Sequence, residues 1–155
     1  MNTLRRNVLK GASSASAVAV AVAAGLLKPT EVLAAWNKSA FEAKTMDEAM
    51  KGLGASGAVD NKGITIKAPD IAENGAVVPV EVTSTIPGTT NISIFAEKNG
   101  TPLVGSYTFS NGAPGFVSTR IKMGTTSLVR AVVIAGGKSY TAAKEVKVTI
   151  GGCGG

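Results

Sequence analysis

The sequence predicts a mainly β protein: an immunoglobulin-like β-sandwich with a short helical segment before it and a Gly-Gly-Cys-Gly-Gly arm after it. Three observations carry that expectation. From Gly63 onward apolar residues recur at every second position, the period of a half-buried strand, and many of them are β-branched. Turn signals interrupt the alternation at Pro87-Gly88, Asn99-Gly100, Asn111-Gly112 with Pro114-Gly115, and Gly136-Gly137. The result is about seven short strands over roughly ninety residues, the pattern of a two-sheet sandwich. A 155-residue chain that is 45% hydrophobic and only 17% charged has enough apolar material for one packed core.

Taken in order, the N-terminus reads Leu4-Arg5-Arg6-Asn7-Val8-Leu9-Lys10, followed by a soft apolar run from Ala12 to Leu27. A basic start and a mildly hydrophobic run form a signal-peptide pattern. The paired Arg5 and Arg6, with Lys28 ahead of the cut, fit the twin-arginine (Tat) route. Val32 and Ala34 place cleavage after Ala34, so residues 1–34 are expected to leave the mature chain. A retained membrane anchor is the competing reading. The run is close to the roughly 17 residues a bilayer span needs, but its Ser and Gly content makes it too weak, which argues against an anchor and for no membrane attachment after cleavage. Cleavage takes four of 16 basic and one of ten acidic residues, leaving 12 against 9 and a net +3 in place of +6. No dense basic stretch interleaved with aromatics remains, so nucleic acid is not an expected partner. The mature protein is expected in the periplasm, where thiols are oxidised.

Residues 35–62 hold the helical segment and a linker. Ala43, Met46, Met50 and Leu53 share one helical face over 39–53. Two S/T-x-x-E patterns, Ser39 with Glu42 and Thr45 with Glu48, compete as starts, so one helix or two short ones fit equally. Gly52 and Gly54 supply the stop. The sandwich is placed at 63–150. Val78, Val80 and Val82 alternate with Pro79, Glu81 and Thr83, and Ile92, Ile94 and Ala96 repeat the pattern. Val117, Thr119, Ile121 and Met123 alternate with Phe116, Ser118, Arg120 and Lys122, and Val146, Val148 and Ile150 close the series. Pro79 lacks an N–H, which points to an edge strand or a bulge. Asn99-Gly100 reads as a tight type I′ hairpin. With one cysteine the chain has no inter-sheet disulfide, so packing alone must hold the two sheets.

The absence of histidine excludes Ser-His-Asp triads, His-activated cysteine nucleophiles and His-ligated metal sites, and no cofactor is expected. The lone Cys153 cannot form an internal disulfide or a CxxC pair, so its sulfur faces a second molecule. It sits between Gly151, Gly152, Gly154 and Gly155, residues that pack nothing and favour a mobile, thin tip at 151–155. No helix N-terminus or fixed cation is near it in sequence, so its pKa should stay at or above the ordinary cysteine value of about 8.5, with about 3% thiolate or less at pH 7. Such a sulfur is accessible but not self-activated. Three readings fit it: a conjugation tag, against which the native leader argues; a staple joining two copies of a secreted, non-enzymatic binding module by an intermolecular disulfide; and a substrate-carrying arm.

The leader, the segment Ile71-Ala72-Glu73-Asn74-Gly75-Ala76-Val77-Val78-Pro79-Val80 and the terminal Gly-Gly-Cys-Gly-Gly together resemble the SoxY family, the sulfur carriers of the periplasmic Sox thiosulfate-oxidising system. The resemblance covers essentially the whole chain, and the tail is its specific element. It implies a carrier without catalytic activity, with Cys153 as the covalent attachment point for a thiosulfate-derived sulfur ligand. It further implies a heterodimer with SoxZ, a second Ig-like subunit, and transient visits to the haem-containing SoxAX, the SoxB hydrolase and a sulfane dehydrogenase.

Other candidates carry weaker signals. Arg120, Lys122, Arg130, Lys138, Lys144 and Lys147 invite a role in holding an anionic sulfur group, but charges at alternate strand positions are also what a half-buried sheet requires. Asp47 and Glu48 read as helix-capping charges rather than a site, because adjacent helical residues do not face one another. Glu73, Asn74 and Gly75 read as a turn.

Overall fold

A computed structural model describes residues 37–149. The helical segment resolves into two helices, α1 over Lys38–Glu42 and α2 over Met46–Gly52. Asn37, a stronger cap than a serine already inside the first turn, starts α1 by accepting from the Ala40 amide, and the Ser39 hydroxyl donates to Asn37 Oδ1 instead. At α2 the expected capping box forms: the Glu48 amide donates to Thr45 Oγ1 at 3.2 Å and the Thr45 amide to Glu48 Oε2 at 3.3 Å. Gly54, at φ +66°, follows the helix end.

Among the described residues nine strands follow: β1 Val59–Asp60, β2 Ile64–Lys67, β3 Ile71–Ala72, β4 Val78–Ser84, β5 Thr89–Ala96, β6 Leu103–Thr108, β7 Gly115–Ile121, β8 Ser127–Ala135 and β9 Lys138–Val148. They make two sheets, one in the order β1-β9-β8-β5-β6 with β3 also on β9, the other β2-β4-β7. This is the immunoglobulin-like sandwich that the alternation predicted. Val78, Val80 and Val82 of β4 meet Ile92, Ile94 and Ala96 of β5 and Val129, Ala131 and Val133 of β8 in the core, all essentially solvent-free. Period-2 patterning is what places these residues on inner faces, and on β4 it leaves the alternates Pro79, Glu81 and Thr83 at least partly exposed.

A second core lies on the other face of the larger sheet. Phe95, Val132 and Leu103 meet Ala40, Ala43, Ala49 and Ala55, with Met46, Met50 and Leu53 packed around them. β5 and β8 are therefore buried on both faces where the helices cover them, although Phe95 stands out of phase with the inward set. Helices this short take their stability from that docking. Small residues permit it: a Cβ on Gly52 would stand 2.9 Å from the Ala40 backbone.

Two turn and edge expectations need correction. Asn99 and Gly100 have no left-handed backbone, so no type I′ turn forms there; β5 and β6 pair, but through a wider connection from Ala96 to Leu103. The two-residue turn is at Gly136-Gly137, with φ of 55° and 75° between the paired Ala135 and Lys138. Glycine at both central positions supplies positive φ at less cost than asparagine, which explains the choice. β4 is not an edge strand, since β2 and β7 flank it. β2, however, ends with Lys67 opposite Glu81, so at Pro79 only β7 pairs with the strand and a missing N–H is tolerated. Among the described residues no helix is long and apolar enough to cross a membrane.

Candidate functional site

Arg5 and Arg6, together with Gly151, Gly152, Cys153, Gly154 and Gly155, lie outside the described residues. The structure instead describes the root from which the cysteine segment departs, the end of β9. Three elements hold it. β3 pairs in parallel with β9, Ile71 opposite Lys147 and Ala72 opposite Val148. The Lys147 amide donates to Asp70 O at 2.9 Å and the Thr149 amide to Ala72 O at 3.1 Å. On the other side the Val148 amide donates to Thr126 Oγ1 at 2.9 Å. The chain is thus hydrogen-bonded through Thr149, four residues before Cys153.

The Glu73-Asn74-Gly75 segment does form a turn, with Asn74 Oδ1 accepting from the Ala76 amide at 2.9 Å. It presses into the same place. Gly75 O accepts from the Met123 amide at 2.7 Å, and a Cβ on Gly75 would collide with Met123 O and stand 2.8 Å from Val148 Cγ1. Glycine is required here by close approach, its φ being ordinary. Sequence reading marked this segment as a turn and missed that it buttresses the root.

The six basic residues do not converge. Arg130 Nε bonds Glu97 Oε1 at 2.6 Å, half-buried on the helix-covered face, and Lys144 Nζ bonds Asp70 Oδ1 at 3.0 Å and Ala68 O at 2.6 Å. Those two are tied up in ion pairs and hydrogen bonds within the fold rather than lying free on a solvated strand face. Lys144 also fixes the strand that clamps the root, because its partner Asp70 immediately precedes β3. Arg120, Lys138 and Lys147 stand exposed. Lys122 alone joins a basic cluster, a cleft it shares with Lys44 and Lys98. Sequence offered no signal for that grouping, since the three come from the α1–α2 connection, the β5–β6 connection and the end of β7. Asp47 and Glu48 sit in the first turn of α2 as capping charges. No group of three or more Asp, Glu, Cys or His able to hold a metal ion occurs among the described residues.

The two-sheet domain thus has its last strand hydrogen-bonded on both sides up to Thr149, and the glycine-flanked Cys153 follows four positions later in the sequence. The family described as sulfur oxidation protein SoxY matches residues 50–153, a span that ends on Cys153. Among solved structures the chain is similar to the sulfur carrier protein SoxY from Chlorobium limicola f thiosulfatophilum. The identity is 46% and the TM-score 0.63, over 73% of this chain and 99% of that one. No curated protein matches. The chain belongs to the SoxY family.

Proposed function

We propose that the protein is a sulfur carrier of thiosulfate oxidation, holding its cargo covalently on Cys153 and presenting it to partner enzymes. One observation carries the reading: the family match runs to the chain's sole cysteine, four positions beyond Thr149, which is still hydrogen-bonded to the segment beside β9. Loading is a two-electron oxidation. The Cys153 thiol and thiosulfate form an S–S bond, giving the Cys–S–S–SO3⁻ adduct, and one proton and two electrons leave to a SoxAX-type haem enzyme. A SoxB-type hydrolase then adds water across the terminal S–S bond, releasing sulfate and leaving a persulfide for a sulfane dehydrogenase. The carrier performs none of these steps itself. It is exported by the Tat route through Arg5 and Arg6, works in the periplasm, and pairs with a SoxZ-like subunit through the sandwich.

Intact mass of protein purified from cells oxidising thiosulfate tests the reading. Sulfur–oxygen adducts on the peptide carrying Cys153 are expected, and Cys153→Ser should abolish them while shifting the melting temperature by no more than about 1 °C, because the residue is flanked on both sides by glycines that pack nothing. A disulfide-linked dimer without adducts would overturn the reading in favour of the secreted binding module.

A further inference from the structure

The pole that holds the arm's root also carries the cleft of Lys44, Lys98 and Lys122, about 740 Å³ in volume, with Asn99, Thr101 and Thr125 among its lining. Its lining includes three lysines and no carboxylate. None of the three ammonium groups is in an ion pair or hydrogen bond among the described residues, where the salt bridges are Lys38–Glu42, Arg130–Glu97 and Lys144–Asp70. Glu48 approaches only the backbone amide of Lys44, at 3.2 Å. Three like charges round one cleft repel one another, and an anion among them relieves that repulsion.

The walls are fixed rather than incidental. Asn99 Nδ2 donates to Lys122 O at 2.7 Å, Asn99 Oδ1 accepts from the Gly124 amide at 3.2 Å, and the Lys98 amide donates to Ser127 Oγ at 3.0 Å. The cleft adjoins the arm: Thr125 is the neighbour of Thr126, whose hydroxyl binds Val148. Cys153 lies four positions beyond Thr149, an extended reach of about 14 Å, so the sulfur can return to a cleft that begins beside its own root.

We propose that this cleft is a cradle for the oxyanion end of the adduct on Cys153, so that the loaded arm rests against the pole between enzymes. The inference rests on the carrier reading and adds to it a site, Lys44, Lys98 and Lys122, and a ligand class, a sulfonate or similar sulfur oxyanion. Resting there shields the S–S bond from stray thiols.

The arm can be loaded without any enzyme. Tetrathionate and the Cys153 thiol give the Cys–S–S–SO3⁻ adduct, thiosulfate and a proton, so the mature protein can be compared loaded and free by amide NMR. Loading should move the amides of Lys98, Gly100, Thr101 and Thr125, and the shifts should fade in 0.5 M salt as screening shortens to a few ångströms. Reaction of the adduct with a small neutral thiol should run about fivefold faster in the triple variant Lys44→Gln, Lys98→Gln, Lys122→Gln than in wild type, equivalent to about 1 kcal/mol. Gly124→Asp gives an independent check, since its Cβ meets nothing within 4 Å and the new carboxylate competes for the lysines; it too should accelerate the reaction. Shifts confined to residues next to Cys153, or equal thiol reaction rates in wild type and both variants, would overturn the cradle. Cys153→Ser protein titrated with sulfate separates tethered from free anion: micromolar sulfate should leave these amides unmoved, because the tether supplies an effective concentration near millimolar. Movement at micromolar sulfate would make the cleft a site for free anion and overturn the proposal. Adducts on Cys153 from cells with no cleft shifts would sink the cradle alone, whereas their absence from cells would sink the carrier reading.

Discussion

Gly75→Ala isolates the buttress beneath the arm. Where a glycine has ordinary φ and free space, alanine stabilises by about 0.4–1 kcal/mol through the unfolded chain, so the sign of the effect is diagnostic. Here the added methyl would overlap Met123 O and stand 2.8 Å from Val148 Cγ1. One of those contacts is backbone, held in place by the Met123 amide's 2.7 Å bond to Gly75 O, so relief requires the turn to move and that bond to lengthen. Overpacking costs about 1–3 kcal/mol and a weakened hydrogen bond about 0.5–1.5, which together outweigh the entropic gain and leave a net loss of about 2 kcal/mol. For a domain of this size that lowers the melting temperature by about 8 °C. Thermal unfolding by circular dichroism in a Cys153→Ser background, which removes disulfide dimers, reads it directly. Hydrogen exchange should show faster exchange of the Lys147, Val148 and Thr149 amides, which are bonded to the β3 segment and Thr126. An unchanged or raised melting temperature would refute the close approach, and a lowered one with unaltered exchange at β9 would refute its link to the root.

Phe95→Ala should cost about 3–5 kcal/mol, since the ring is fully buried where the helices meet the sheet, and urea unfolding should show the drop in midpoint. Gly137→Ala should lose about 1 kcal/mol because its φ is +75°, whereas Gly100→Ala should stay within about 0.5, its φ being ordinary and its Cβ facing open space; equal losses in the two would contradict the turn assignment. Replacing Gly152 and Gly154 by valine should slow the loading and stripping enzymes about a hundredfold or more if the tip threads a narrow channel, while a small thiol reagent keeps within a few-fold of wild type. Equal turnover would remove the reason for the glycines.

Strand identity was legible wherever one face is buried, because alternation then records burial directly: Val78, Val80 and Val82 read from sequence as they stand in the core. Legibility failed where two layers cover one strand. Phe95 and Val132 point away from the inner core, and only the docked helices explain their burial. Turn chemistry was readable as punctuation but not as type, since Asn99-Gly100 and Gly136-Gly137 carry similar local signals and the Asn99 side chain is committed to Lys122 and Gly124 instead. The cysteine stood out by being alone. The lysine cleft did not, because its members are far apart in sequence and share only a pole of the sandwich.

Clamping the root could serve delivery in two ways, by concentrating the cysteine or by aiming it, and magnitudes separate them. Releasing Lys147, Val148 and Thr149 would lengthen the proposed tether from four residues to seven. Effective concentration at a fixed target falls roughly as the −3/2 power of tether length, so the release would dilute the sulfur only about twofold. Two backbone hydrogen bonds, a third from the Val148 amide to the Thr126 hydroxyl, a parallel strand pair and a surface ion pair at Asp70 are a large structure for so small a gain. Aiming is the stronger effect: a fixed pivot sets the direction from which a thin peptide enters an enzyme's channel, and misplacement by about 1 Å at a reacting centre can cost about a hundredfold. On the proposed carrier reading, the clamp would serve aim more than concentration. Loosening it should be felt in enzyme turnover well beyond twofold, and hardly at all by a small thiol reagent that can approach Cys153 from any side.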